Sequence, residues 1–177
     1  MDKLKLGKGA SFFVKSQLKR LRQEDETWEA DFFPIPCSDS EHDSVWWGIV
    51  LSHDHDKVLA QRMIEEPPTV NDLANLLAEA MRRPLVDFSH RPRILYLRAK
   101  PECAELLPHL KQIGIQAVSQ DALPKWDRNF GELQEKATSC QITPILRTRH
   151  FKNWFVYLGR RYRLALHPLA WNTKAGT

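Results

Sequence analysis

The sequence lacks the short motifs that identify several large enzyme classes. It contains no glycine-rich phosphate-binding loop, no GxSxG nucleophile motif and no HExxH zinc motif. Its three cysteines, Cys37, Cys103 and Cys140, are far apart and form no CxxC pair, which argues against a cysteine zinc site and favours reduced thiols in a cytoplasmic protein. No apolar run approaches the roughly 20 residues of a membrane-spanning helix, and we read no secretory signal at the basic N-terminus. These absences remove classes of protein without naming a chemistry.

Charge is distributed unevenly along the 177 residues. The formal net charge is +4, but residues 1–22 carry +6 and residues 143–177 carry +7, so residues 23–142 carry −9. Such asymmetry is informative about partners rather than about fold. Two interpretations follow from the charge alone. The basic ends fold back against the acidic middle, or they contact an external anionic partner.

A basic helix is predicted near the N-terminus, over residues 10–23. Val14, Leu18 and Leu21 fall on one stripe, with Phe13 beside it, and lysines lie opposite. The stripe fits a helix that packs against the rest of the protein, and it also fits a helix that lies on a membrane surface.

Residues 91–119 read as strand, helix and strand, and the rest of the chain is organised around them. The apolar run 94–97 is typical of a strand that is covered on both faces. Pro101 opens a helix with an apolar face, Gly114 ends it, and the next strand begins at Ile115. Two strands joined by a helix are normally parallel.

Three strands and a helix are predicted before this unit, and a helix after it. Thr69 is the predicted N-cap of the preceding helix, with Asp72 at the capping-box position. The short HDHDK connection makes the second and third strands an antiparallel hairpin. The predicted elements are strands 28–35, 45–52 and 58–64, helix 69–83, a loop over 120–126, helix 127–137, strand 141–146 and a hairpin over 153–166. Residues 153–166 could equally begin as a helix, and we favour the hairpin.

The resulting fold is α/β, with a mixed sheet made of an antiparallel three-strand meander plus parallel strands, and helices on its faces. This order resembles the ribonuclease H-like fold over roughly residues 27–137. The strand with Trp28 and Asp31, the RPRILYL strand and the helix ending IGIQAV also resemble an uncharacterised cyanobacterial domain family of unknown function. We therefore divide the chain into a basic N-terminal extension with a short helix (1–26), an α/β domain (27–140) and a basic, aromatic C-terminal segment (141–177).

The ribonuclease H-like resemblance implies a two-metal nuclease site built from carboxylates on the first strand, on a helix and near the end of the fourth strand. Asp31 fits the first position, and Glu79 lies on the first long helix. The fourth strand, however, ends in Arg98 and Lys100, where the family pattern requires an acid. A cation there would repel a metal, so we predict no nuclease activity, no metal and no cofactor.

Two other stretches could carry chemistry. Alternate residues of HDHD, such as His53 and His55, could chelate a metal, but a polar hairpin turn uses the same residues and no third ligand is fixed nearby. Cys103 lies at a predicted helix N-terminus, which lowers a thiol pKa. No histidine near it suggests a catalytic pair, and we interpret it as a small, partly buried residue.

The C-terminal segment combines cationic and aromatic side chains. Guanidinium groups bind phosphates and aromatic faces stack on bases, which is typical of single-stranded nucleic-acid surfaces. Alternatively, the apolar residues of the segment form a core and its arginines are solvated or paired to the acidic middle of the chain. These apolar residues are Trp154, Val156, Leu158, Leu164 and Leu166. We predict a non-catalytic binding or assembly module that contacts RNA or DNA through this segment, or alternatively a factor that docks on an acidic protein or anionic membrane surface through both basic ends. The predicted contact residues are Arg147, Arg149, Lys152, Trp154, Tyr157, Arg160, Arg161, Tyr162 and Arg163.

Overall fold

The computed structural model describes residues 13–36 and 44–130. A long first strand, an antiparallel hairpin and two strand–helix units follow one another along the chain. The elements are α1 (Lys15–Leu18), β1 (Arg22–Pro36), β2 (Ser44–Ser52), β3 (Lys57–Ile64), α2 (Val70–Arg82), β4 (His90–Arg98), a 3₁₀ helix (Pro101–Glu105), α3 (Leu107–Gln112), β5 (Gln116–Gln120) and α4 (124–130).

The five strands form one mixed sheet in the order β3-β2-β1-β4-β5. β1 pairs antiparallel with β2, and β2 antiparallel with β3, while β4 runs parallel to β1 and β5 parallel to β4. The predicted mixed sheet, with its antiparallel meander and its two parallel strands, is confirmed. Strand β1 is central and lies between the β2–β3 hairpin on one side and the parallel strands β4 and β5 on the other.

Apolar residues cover both faces of the sheet. Trp28, Ala30 and Phe32 alternate along β1 and face a core that includes residues from α1, α2 and α3. Phe33 points to the other face, where it packs with residues of β2 and with Trp126 of α4. The alternation follows from the two-residue period of a strand. The helices therefore lie on both sides of the sheet.

Helix α2 begins as the sequence predicts. The backbone N–H of Asp72 donates to the Thr69 side chain, and the Thr69 N–H donates to the Asp72 carboxylate, so the capping box is complete. Leu76 and Leu77 are fully buried against the sheet. Gly48 of β2 allows this close approach, because a Cβ there would lie 2.8 Å from Leu76 Cδ2 and 2.3 Å from the Phe32 ring.

The predicted first strand begins too late. β1 starts at Arg22 rather than Trp28, because its polar first residues pair with the beginning of β4. Pro92 lies within β4 rather than before it, and the pairing of β1 with β4 shifts register between Glu24 and Thr27. Hydropathy alone misses such a polar strand end.

The helices that flank β5 also differ from the prediction. The helix expected from Pro101 to Ile113 is a 3₁₀ turn followed by α3, because Pro108 lacks an N–H and its ring clashes with an α-helical preceding turn. Gly114 ends α3 with φ +83°, as predicted. Helix α4 begins at Pro124, where a loop was expected, so Trp126 is a helical residue.

The helix near the N-terminus is only four residues long, and it packs on the domain. Phe13 and Leu18 are fully buried in the core, and Lys15 Nζ donates to Gln112 Oε1 at 2.7 Å. The described part of this region therefore follows the packing interpretation. The three-part division of the chain stays a prediction, and the strand 141–146 and the hairpin 153–166 lie outside the described residues. Among the helices of residues 13–36 and 44–130, none is long and apolar enough to cross a membrane.

Candidate functional site

The candidate site lies at the end of β4, where its parallel pairing with β1 stops. The register places Ala30 beside Leu97, so the next residues, Asp31 and Arg98, are neighbours at this edge. Asp31 is 6% exposed. A carboxylate this deeply buried requires compensating charges or hydrogen bonds.

Arg98 supplies the first of these charges. Its Nε donates to Asp31 Oδ2 at 2.6 Å, its Nη1 donates to the Asp121 carbonyl at 2.7 Å, and its Nη2 contacts Asp127 Oδ1. The guanidinium also lies 5.7 Å from the centre of the Trp126 ring. Burial alone would lower the pKa of Arg98, but the hydrogen bonds to Asp127 and Asp31 outweigh it and raise that pKa above its usual range. Arg98 is therefore a permanent cation in this site.

Lys100 supplies the second charge. Its Nζ donates to Asp31 Oδ1 at 2.6 Å and to the Phe32 carbonyl at 3.2 Å. Each oxygen of Asp31 thus has its own cationic partner. Asp31 Oδ1 also accepts from the Phe32 N–H at 2.7 Å. The buried carboxylate is neutralised and held in one orientation.

Asp127 completes the site, and the sequence analysis missed it. One of its oxygens contacts Arg98, and the other accepts from the Leu123 N–H at 2.9 Å. It lies on α4, which the sequence predicts to begin at Asp127 itself. Proline is favoured in the first turn of a helix, so a helix start could have been predicted at Pro124. That start would have placed Asp127 inside the helix, on the side that faces the end of β4.

Glu29 holds α4 in place over the sheet. It is fully buried on the same face as Asp31, and its carboxylate accepts from the N–H of Trp126 at 2.6 Å and of Lys125 at 3.3 Å. These N–H groups belong to the first turn of α4, where a carboxylate is favoured by the helix dipole. Glu29 was another residue that the sequence analysis missed, since a glutamate in a strand is usually a surface residue.

The residues present do not fit a divalent metal. Both oxygens of Asp31 are engaged by cations, and Arg98 and Lys100 stand at the end of β4, where a nuclease of this fold needs an acid. Glu79 pairs with Arg62 of β3 at 2.9 Å instead of pointing to this site. Within residues 13–36 and 44–130, no group of three or more His, Cys, Asp or Glu side chains could hold a metal ion. The site is a closed ion-pair network of two carboxylates and two cations.

The HDHD turn is held by ion pairs and hydrogen bonds. His53 Nδ1 lies 3.1 Å from Glu29, and the Asp54 carboxylate accepts from the Thr27 N–H at 2.9 Å. In the second half of the turn, His55 Nε2 lies 3.4 Å from Glu26 Oε1, and Asp56 pairs with Lys125 at 2.7 Å. The two histidines approach different carboxylates, so the turn fastens β2 and β3 to β1 and α4. This favours the hairpin-turn interpretation over a chelating pair.

Cys103 is a buried core residue. It is 6% exposed, forms no disulfide and belongs to the cluster beneath α2 and α3. The arginines, lysine and aromatic residues predicted to contact nucleic acid, at positions 147–163, lie outside the described residues. They stay a prediction.

The strand order and the helices on both faces define an α/β protein of the ribonuclease H-like fold, in which Arg98 and Lys100 lie at and just after the end of β4. A chain of the simian T-cell lymphotropic virus intasome in complex with PP2A regulatory subunit B56 gamma has this architecture, with a TM-score of 0.50 and 12% identity. The match covers 81% of this chain and 51% of that one, so the chain spans about half the length of the intasome chain.

Two integrase catalytic core domains are also similar. The HTLV-2 core in complex with magnesium has a TM-score of 0.43 and 12% identity, over 68% of this chain and 77% of that one. The BIV core has a TM-score of 0.45 and 14% identity, over 87% of this chain and 88% of that one. No curated protein matches the sequence.

The chain belongs to the family designated domain of unknown function DUF6930, whose match spans residues 15–134. The resemblance to an uncharacterised domain family is thereby confirmed, while its cyanobacterial distribution stays a prediction. The match includes β1 to β5 and α4. It therefore takes in every residue of the ion-pair network.

Proposed function

We propose that this protein is a non-catalytic nucleic-acid-binding module built on a ribonuclease H-like fold. The absence of catalysis is proposed from the state of Asp31, which is 6% exposed and whose carboxylate accepts hydrogen bonds from Arg98 and Lys100. Displacing both cations to admit a metal would leave them without their buried partner, at a cost of several kcal/mol for a broken buried pair. We infer that the ion-pair network holds β1, β4 and α4 together.

Nucleic acid is the favoured partner because of where the positive charge resides. The described residues carry a net charge of −1 against +4 for the whole chain, so the excess of cations belongs to the remaining residues. Most of that excess lies in the basic-aromatic segment that contains Arg160, Arg161 and Arg163. Arginine with interleaved aromatic residues provides both phosphate contacts and base stacking. The fold shared with a viral intasome chain is compatible with this proposal.

Docking on a membrane through the N-terminal helix is less favoured. Phe13 and Leu18, which an interfacial helix would insert into lipid, are fully buried in the protein core. Exposing them would remove two large side chains from that core, at about 1.5–3 kcal/mol each. Insertion of this helix into a membrane would therefore destabilise the folded protein.

Binding to labelled single-stranded RNA and to duplex DNA across a salt series tests the proposal. We expect affinity that falls steeply with salt, with a slope of about −0.7 to −0.9 per phosphate contact. A variant with Arg160, Arg161 and Arg163 changed to Ala should bind more weakly and lose up to about two to three units of slope if each arginine contacts a phosphate.

The matched control removes three exposed cations of the described domain, Arg22, Arg93 and Lys111, by the same change to Ala. It should leave binding within a few-fold of the wild type. Equal losses in the two triple variants would indicate non-specific charge attraction, and no binding at low salt would end the proposal. Incubation of the same oligonucleotides with Mg²⁺ or Mn²⁺ should give no cleavage products, and cleavage that co-purifies with the protein would refute its non-catalytic half.

A further inference from the structure

Strand β5 has features of a self-pairing edge. Among the strands formed by residues 13–36 and 44–130, it is the last of the sheet on its side and pairs with β4 alone. Its sequence, Gln116–Gln120, contains no lysine, no proline and no acid, which are the residues that usually block association at an exposed edge. The opposite edge differs, because β3 carries Lys57 and Arg62, and its Leu59 carbonyl accepts from the Leu85 N–H at 2.8 Å.

The hydrogen-bonding direction of β5 can be read from its last residue. The carbonyl of Gln120 accepts from the N–H of Ala99, which follows β4, at 2.9 Å. Backbone groups along a strand in a parallel pair alternate in direction, so Gln116, Val118 and Gln120 bond toward β4. Ala117 and Ser119 therefore direct their N–H and C=O groups away from the sheet.

The sequence of β5 is close to a palindrome. QAVSQ reads nearly the same in both directions around Val118, with Ala117 and Ser119 as the only mismatch. An antiparallel pair of two β5 strands centred on Val118 would place Gln116 opposite Gln120, and Ala117 opposite Ser119. All opposed residues share a face, because each pair is separated by an even number of positions. No like charges meet across the axis.

The hydrogen-bond pattern agrees with this register. In an antiparallel ladder, pairs that exchange two hydrogen bonds alternate with pairs that exchange none. Ala117 and Ser119 have outward backbone groups, so the two Ala117–Ser119 pairs exchange four hydrogen bonds in total. Val118 lies between them as the pair that exchanges none, and the two-fold axis passes through this pair.

We propose that β5 pairs with β5 of a second copy of this chain, in antiparallel orientation about Val118, to form a continuous ten-stranded sheet. A two-fold axis makes the contact self-complementary and closed. Five residues on each side bury far less than the roughly 1,000 Å² expected of a stable interface. The dimer therefore dissociates on dilution.

Sedimentation of the 177-residue chain over a wide concentration series tests this dimer. The weight-average mass should rise toward twice the monomer mass. Val118→Lys should remain monomeric, because it sets two lysines opposite each other, and Val118→Glu should do the same. An equimolar mixture of the two variants should dimerise again. A monomeric wild type, or a Val118→Lys variant that dimerises as the wild type does, would overturn the proposal.

Cross-linking keeps the test independent of the folding of the charged variants. In a chain with Cys37 and Cys140 changed to Ser, Val118→Cys should oxidise to a disulfide dimer, since the Cα atoms of such a pair lie about 4.5 Å apart. The control Gln116→Cys lies on the same face but roughly 14 Å from its copy, so it should cross-link little. Equal yields from both variants would contradict the proposed register.

Discussion

Replacing Arg98 with Met tests whether the ion-pair network behaves as a buried structure. The change removes the charge and both carboxylate contacts while keeping most of the side-chain volume. Asp31 remains 6% exposed with Lys100 as its remaining cationic partner. Breaking a buried pair costs about 3–5 kcal/mol, and Arg98 is a quarter exposed, so we expect the free energy of unfolding to fall by about 3 kcal/mol.

Urea unfolding followed by tryptophan fluorescence measures this loss, and the midpoint of thermal unfolding should fall by about 6–12 °C. The matched control is Arg93→Met. Arg93 pairs with Asp25 at 2.9 Å, but the two side chains are 63% and 82% exposed, so that pair contributes at most about 1 kcal/mol. Because the same substitution is made at two ion pairs of similar length, the difference between the two losses of stability measures the effect of burial rather than that of removing a charge.

Asp31→Asn completes a double-mutant cycle with Arg98→Met. Because Asn carries no charge that needs neutralising, the double variant should be more stable than the sum of the two single losses predicts, by about 1–2 kcal/mol. An Arg98→Met loss below about 1 kcal/mol, or equal to that of Arg93→Met, would refute the reasoning that the network compensates a buried carboxylate.

Three further predictions address a helix cap, a pH effect and the two cations that bond to Asp31. Thr69→Ala removes the N-cap of α2 and should lower the free energy of unfolding by about 1 kcal/mol in urea, whereas Thr69→Ser should restore it. Lys57 donates a hydrogen bond to Asp87, which lowers the pKa of that carboxyl below its usual 3.8, so the stabilising contribution of Asp87 is present above its unfolded pKa and is lost as the pH falls through its folded pKa. Lys57→Met should remove this small loss of stability below roughly pH 4. An acid profile that Lys57→Met leaves unchanged would contradict the assignment. Arg98→Asp combined with Lys100→Ala removes both cations and adds a carboxylate to the two already present, so calorimetric titration with Mn²⁺ should detect binding that neither the wild type nor Lys100→Ala shows.

The sheet was predictable because its strands and α2 have strong local signals. β2 and β3 each differ from their predicted bounds by one residue. The start of α2 was predictable because Thr69 and Asp72 form its capping box with their own side chains. The errors fall where local signals are weak or conflict. The polar beginning of β1 becomes a strand only because β4 pairs with it. Pro108 divides a helix whose apolar spacing looks continuous.

The candidate site was predictable in part. Asp31 could be placed on the first strand, and the cations at the end of β4 could be read directly from the sequence. Asp127 and Glu29 could not be assigned, because their roles depend on where α4 crosses the sheet. An acidic residue has no local feature that distinguishes a surface position from a buried one. The Arg98 partner of Asp31 lies 67 positions away along the chain, and the Trp126 partner of Glu29 lies 97 positions away.

The sequence by itself determined most of the elements, their order and the presence of Arg98 and Lys100 after the apolar run of β4. Periodicity, capping residues and turn residues act over a few positions, so they can be read without a structure. Only the tertiary structure decided that both cations bond to Asp31 and that the aspartates of the HDHD turn bond to β1 and α4. It also decided that the backbone groups of Ala117 and Ser119 point away from β4. These facts depend on strand register and on burial, which arise when distant segments pack together.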